Sequence, residues 1–194
     1  MSLNIRRMFR RLSELIYSGN IETYLIRPVN FLWMLAVQIV ADHLVQFLVT
    51  VIVVATFLVS TVGVPEIVFS PILIIGALTL AVVGVVIELL LATLVGLFAI
   101  WLEKAEPVWW IIDKFILILG GSYVPIAFFP EFLQFVAKNS PFGATRFFSL
   151  IFYPHAELLL GNYLIVQSVW VGVLLLSIII VLRRGLHKLF INGS

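Results

Sequence analysis

The sequence predicts an all-α integral membrane protein, and three observations predict it. Hydrophobic residues fill 62% of 194 positions and charged residues only 11%, against about 25% charge in an ordinary soluble domain. Mean hydropathy is +1.18, so the thin polar coat needs lipid as solvent. Several apolar runs reach the roughly 20 residues that cross a bilayer, without the alternation of a membrane barrel. Helices then follow, because each satisfies its own backbone groups in hydrocarbon.

Four segments are long and apolar enough to span: 44–62, with an interfacial lead-in from Phe31, then 72–102, 108–124 and 163–182. They divide the chain into a cytoplasmic segment, 1–30, and a transmembrane domain, 31–194. No cleavable signal is expected, since the first apolar run starts only at Phe31, behind a polar stretch.

Lys and Arg set the orientation. Arg6, Arg7, Arg10, Arg11, Arg27, Lys104, Lys114, Arg183, Arg184 and Lys188 fall on one side, which is ten; Lys138 and Arg146 fall on the other, which is two. The positive-inside rule places the ten, both termini and the 103–107 turn in the cytoplasm of a multi-pass protein of the cell's inner (plasma) membrane. Trp101, Trp109 and Trp110 flank that turn and read as interfacial anchors.

Before the first span, Ile5, Met8, Phe9, Leu12, Leu15 and Ile16 recur at helical spacing with arginines between them. The pattern predicts an amphipathic helix on the inner leaflet. Gly19 and Asn20 break it, 21–26 can form one more short helix, and Pro28 ends that.

The stretch 120–154 departs from a plain span. Gly120 and Gly121 precede Pro125 and Pro130. Proline removes a donor and clashes with the preceding turn, so the helix is expected to break near Tyr123 to Pro125. Residues 131–138 are amphipathic and too short to span, and a second apolar piece runs 142–153. Irregular backbone at membrane depth must be buried in protein or line a cavity. An outer-side re-entrant or interfacial helical pair is expected; a simple extracellular loop is the alternative.

Catalytic motifs are few and weak. No G-x-x-x-x-G-K-[ST] loop is present, and Gly120-Gly121-Ser122 leads to no lysine. His43, His155 and His187 are scattered, so no metal site is expected, and the absence of cysteine excludes thiolate sites, cysteine nucleophiles and disulfides. Ser122 beside a glycine pair loosely resembles an intramembrane serine protease, but Tyr123 follows where glycine is wanted, and His155 would have to serve as base from outside any span. A net charge of only +2 gives no sign of a nucleic-acid partner. Glu88 lies near the middle of the second span, where an ionisable residue is a functional candidate. No basic residue is expected at its depth, so it should be protonated, hydrogen-bonded or paired across a subunit interface. Asp42, His43, Asp113 and Lys114 sit near span mouths and can snorkel. Ala77/Ala81 and Ala92/Gly96 suit close helix packing.

The run Ser18-Gly19-Asn20-Ile21-Glu22-Thr23-Tyr24-Leu25-Ile26-Arg27-Pro28-Val29-Asn30 resembles the signature after the second span of type-2 ABC exporter permeases (ABC-2 family transporter proteins). Trp101-Leu102-Glu103, Gly120-Gly121, Pro125, Phe129-Pro130, Pro141-Phe142, Gln167 and Trp170 follow in the order of that family. The likeness runs from about Ser13 to the basic tail. It implies a permease subunit of an ATP-driven export system, with no cofactor or catalysis of its own. ATP would be hydrolysed by a separate ATPase subunit docked on residues 13–30, through Gly19, Ile21, Glu22, Leu25, Arg27 and Pro28. A second permease chain, identical or not, would complete the pathway within membrane lipids. Family permeases usually have six spans, two of them before this motif. Four are expected here, so the first two would lie on another chain, lie upstream, or be missing from a reduced form. The competing classes are an intramembrane enzyme acting on lipid or peptide and a non-transporting assembly subunit.

Overall fold

The structure, a computed structural model, describes residues 2–18, single helical positions between 37 and 61, and residues 71–152 and 156–192. Among these residues the regular secondary structure is all helical. Helix α1 (Ser2–Tyr17) is followed by α2 (Pro71–Leu97), which runs on through a 3-10 turn at Phe98–Ile100. Then come α3 (Glu106–Leu119), a 3-10 turn at Ile126–Phe128, α4 (Glu131–Asn139), α5 (Pro141–Ala144), a 3-10 segment at Phe147–Phe152, and α6 (Ala156–Asn192). The predicted span 44–62 lies mostly outside the described residues; at Val45, Val49, Ile52, Val53 and Phe57 within it the backbone is helical and the side chain exposed.

Two described helices are long and apolar enough to cross a membrane, Pro71–Ile100 and Leu158–Gly185. They coincide with the second and fourth expected spans. They run parallel: Gly76 meets Leu160 near one end, and Gly185 meets Ile100 at the other. The third expected span, 108–124, is shorter than its hydropathy suggested. Helix α3 has 14 residues, about 21 Å at 1.5 Å per residue, against a hydrocarbon core of about 30 Å.

Glycines end α3, not the prolines. Gly121 adopts a left-handed φ of 74°. Its N–H bonds to the carbonyl of Ile118, and the Ser122 N–H reaches the carbonyl of Leu117, both at 3.0 Å. That pair of bonds is the glycine C-terminal cap that satisfies orphan helix carbonyls. The break expected at Tyr123 to Pro125 therefore comes earlier. Pro125 and Pro130 instead sit immediately before helical turns, at φ −53° and −55°, where a fixed φ and a missing N–H cost little.

Helix α4 matches the short amphipathic stretch expected at 131–138. Ser140 caps α5, accepting from the Gly143 N–H at 3.2 Å, with Pro141 in its first turn. The α4–α5 pair packs against the middles of α2 and α6. Trp170, in the middle of α6, donates through Nε1 to the carbonyl of Asn139 at 2.9 Å, and Gly84, halfway along α2, lies directly under the Thr145 carbonyl.

Helix α1 is amphipathic, as its spacing demanded, but its apolar face meets protein where an inner-leaflet contact was expected. Phe9, Leu12 and Ile16 are buried among Leu89, Ala92, Val95 and Trp109. The Ala92/Gly96 pair serves this contact, with Leu12 seated over Gly96.

Candidate functional site

Two polar constellations stand out. The first lies inside the bundle. Arg146, on the turn after α5, places Nη2 at 3.4 Å from Oε2 of Glu88, with the two side chains 9% and 2% exposed. This overturns two expectations: that no basic residue sits at the depth of Glu88, and that Arg146 is an outer-loop charge. The cause is the path of the chain after α4, which brings residues 143–147 to the level of the α2 midpoint. Gly120 makes room for it, because a Cβ there would come within 2.6 Å of the Arg146 Cγ.

Gln167 on α6 completes the arrangement. Its Nε2 donates to the carbonyls of Leu80 at 2.9 Å and Ala144 at 2.8 Å, fully buried. One amide thus ties α2, α5 and α6 together. Phe147 packs on Tyr163 with ring centroids 5.0 Å apart, which presses the same segment onto α6. Sequence reasoning passed over Gln167 except as a point of family likeness. A lone amide in an apolar span is the same signal that singled out Glu88 and would have found it.

The second constellation lies at the other end, around the α2–α3 turn. Arg6 and Arg10 each place Nη2 at 3.2 Å from Oε1 of Glu106, in the first turn of α3. The hydrogen bond from Arg10 is the main cause that holds the Glu106 carboxyl below its ordinary 4.5. The Arg6 guanidinium also covers Trp110 at 4.7 Å. Phe9 stacks on Trp109 at 5.7 Å. The Ala105 N–H, which has no side-chain cap within α3, donates to the Tyr17 hydroxyl at 2.8 Å. Trp109 is consequently 1% exposed, a core residue instead of the interfacial anchor expected of it, whereas Trp101 and Trp110 stay exposed.

The predicted coupling residues Gly19, Ile21, Glu22, Leu25, Arg27 and Pro28 lie outside the described residues, and so do Asp42, His43 and His155. Ser122 is exposed on the turn after α3. Among the described residues no group of three or more His, Cys, Asp or Glu could hold a metal.

No curated protein and no solved structure matches the chain. The family model described as ABC-2 family transporter protein matches residues 1–193, so the chain belongs to that family of non-catalytic membrane permeases, and its general role is transport.

Proposed function

We propose that the chain is the membrane-spanning permease subunit of an ATP-driven export system. A separate ATPase subunit docks on residues 13–30, and a second permease chain completes the pathway. The observation that carries this reading is the attachment of α1. The helix is fixed to the ends of α2 and α3 by buried Phe9, Leu12 and Ile16 and by the Arg6–Glu106–Arg10 cluster. The 19–28 motif follows α1 directly in the sequence. A load applied to that motif is handed to a helix already joined to the spans.

The orientation is inferred from charge. With Arg146 drawn inside, the outer side keeps only Lys138 of its two expected basic residues, against the ten assigned to the cytoplasm. Exposed apolar faces on α2 and α6, such as Ile75, Leu78 and Val82 with Ile165, Val169 and Leu176, supply surface for lipid and for the second chain.

The test is co-purification of an ATP-binding subunit with this chain from its own cells. Glu22→Arg reverses a charge outside the spans. Normal membrane levels, weakened retention of the ATPase and lost transport are expected. A variant that retains the ATPase and transports normally removes Glu22 from the docking site; a native chain that retains no ATP-binding protein contradicts the whole reading.

A further inference from the structure

A groove of about 870 Å³ opens between α1 and the start of α3. Arg10 and Lys104 line it and are exposed, and Glu14 and Glu106 line it with them. Ser13, which is buried, and Tyr17 also line it, their hydroxyls bonded to the Phe9 carbonyl and the Ala105 N–H. Phe9, Trp110 and Ile111 supply the apolar lining. The apolar lining does not stop at the groove. Ile111, Phe115 and Ile118 are 57%, 44% and 46% exposed and follow helical spacing, so they form one stripe running along α3 away from the turn.

In the lining Arg10 and Lys104 are matched by Glu14 and Glu106, and Arg6 and Arg11 next to them tip the local balance positive. Glu106 is shared between Arg6 and Arg10, which leaves that cluster one positive charge in excess. Lys104 and Arg11 add two more exposed cations, and Glu14 and Glu103 are the exposed carboxylates set against them. Trp110, half-exposed, is covered by Arg6 at 4.7 Å and approached by Lys114 at 5.9 Å. An indole with cations around it marks the level where headgroups meet hydrocarbon.

We propose that this groove binds one anionic phospholipid, its phosphate at Arg10 and Lys104 and an acyl chain laid along Ile111, Phe115 and Ile118. Exposed cations, an indole and an apolar stripe are the three chemistries that the phosphate, the interfacial region and the chain of a phospholipid require. A soluble anion has no use for the stripe. The lipid wedges between α1 and α3, so it sets how firmly α1 is held. The inference rests on membership of a membrane family and not on ATPase docking.

The experiment uses the full chain, purified and delipidated in detergent, so failure of ATPase docking cannot affect it. Phosphatidylglycerol or phosphatidylcholine with brominated acyl chains is titrated while tryptophan fluorescence is read at fixed ionic strength. Saturable quenching by phosphatidylglycerol is expected at a concentration at least about tenfold lower than for phosphatidylcholine, since each basic side chain near an anionic headgroup contributes about fivefold. Trp110→Phe should remove most of the quenched signal. Lys104→Gln, at a side chain outside the Arg6–Glu106–Arg10 cluster, should weaken the phosphatidylglycerol response about fivefold while thermal unfolding stays unchanged. Equal quenching by the two lipids, an unaltered Lys104→Gln titration, or displacement of the lipid by inorganic phosphate would each overturn the proposal.

Discussion

Arg146 reaches Glu88 through the interior, Nη2 to Oε2 at 3.4 Å, although the two residues belong to different helical segments and both side chains are buried. Burying two charges costs several kcal/mol per ion, and their attraction offsets this only when geometry and further hydrogen bonds are good. The pair is thus weak grounds for net stability and stronger grounds for register. It fixes which turn of α2 the 143–147 segment meets, and Gln167 fixes the same segment against α6.

Removing one partner should therefore cost more than removing both. Glu88→Gln deprives the buried guanidinium of its carboxylate and is expected to destabilise by about 3–5 kcal/mol. Glu88→Leu combined with Arg146→Met should recover most of that loss. Thermal unfolding of the purified chain in detergent compares them. The buried pair thereby revises the expectation that no basic residue lies at the depth of Glu88. A single Glu88→Gln variant as stable as the native chain would show that the charge pair does not operate in the membrane.

Hydropathy and spacing read the continuous features well. The second span at 72–102 and the fourth at 163–182 reappear as Pro71–Ile100 and Leu158–Gly185, because twenty or more apolar residues have few other stable arrangements in lipid. The amphipathic spacing of Phe9, Leu12 and Ile16 likewise gave a helix with one apolar face. What covers such a face is not encoded locally. Here Trp109, Ala92 and Gly96 cover it, so α1 turned out to be a packed element and Trp109 a core residue. Arg146 was misplaced for the same reason: charge counting assigns a residue to a side of the membrane, whereas the fold packs residues 143–147 against the middle of α2. Gly121 shows a local competition. Both glycine and proline can end α3, and the capping bonds to Ile118 and Leu117 complete it at the glycine before the proline is reached. The coupling residues from Gly19 to Pro28 lie outside the described residues.

The close approach at Gly84 gives a second outcome. A Cβ there would collide with the Thr145 backbone carbonyl, which cannot move without shifting Arg146. Gly84→Ala should destabilise by about 1–3 kcal/mol, as overpacking does. Gly172, on α6, has open space where its Cβ would go, and Gly172→Ala should stay within about 0.5 kcal/mol. Unfolding midpoints of the two variants check this; similar values would remove the packing argument.

Acid should loosen α1. The Arg10 hydrogen bond, helped by the charges of Arg10 and Arg6, holds Glu106 below its ordinary 4.5. A depressed carboxyl stabilises the docked state fully above its unfolded value, and that contribution fades as pH falls through the lowered value. A nitroxide label at Glu14→Cys, in a chain with no native cysteine, should gain mobility reversibly below about pH 4.5. Glu106→Gln should remove this transition and leave α1 more mobile at neutral pH. A label whose mobility ignores both changes would mean that the arginine cluster does not hold the helix.

Docking of an ATPase at residues 13–30 requires α1 and both termini to lie in the cytoplasm, and impermeant thiol labelling tests that placement most directly. Single cysteines at Ser2, Glu66, Lys138 and Ser194 are exposed to the reagent in intact cells and again after permeabilisation, with no native cysteine to interfere. Positions 66 and 138 should label in intact cells, and positions 2 and 194 only once the membrane is opened. Strong labelling of either terminus in intact cells would contradict the account.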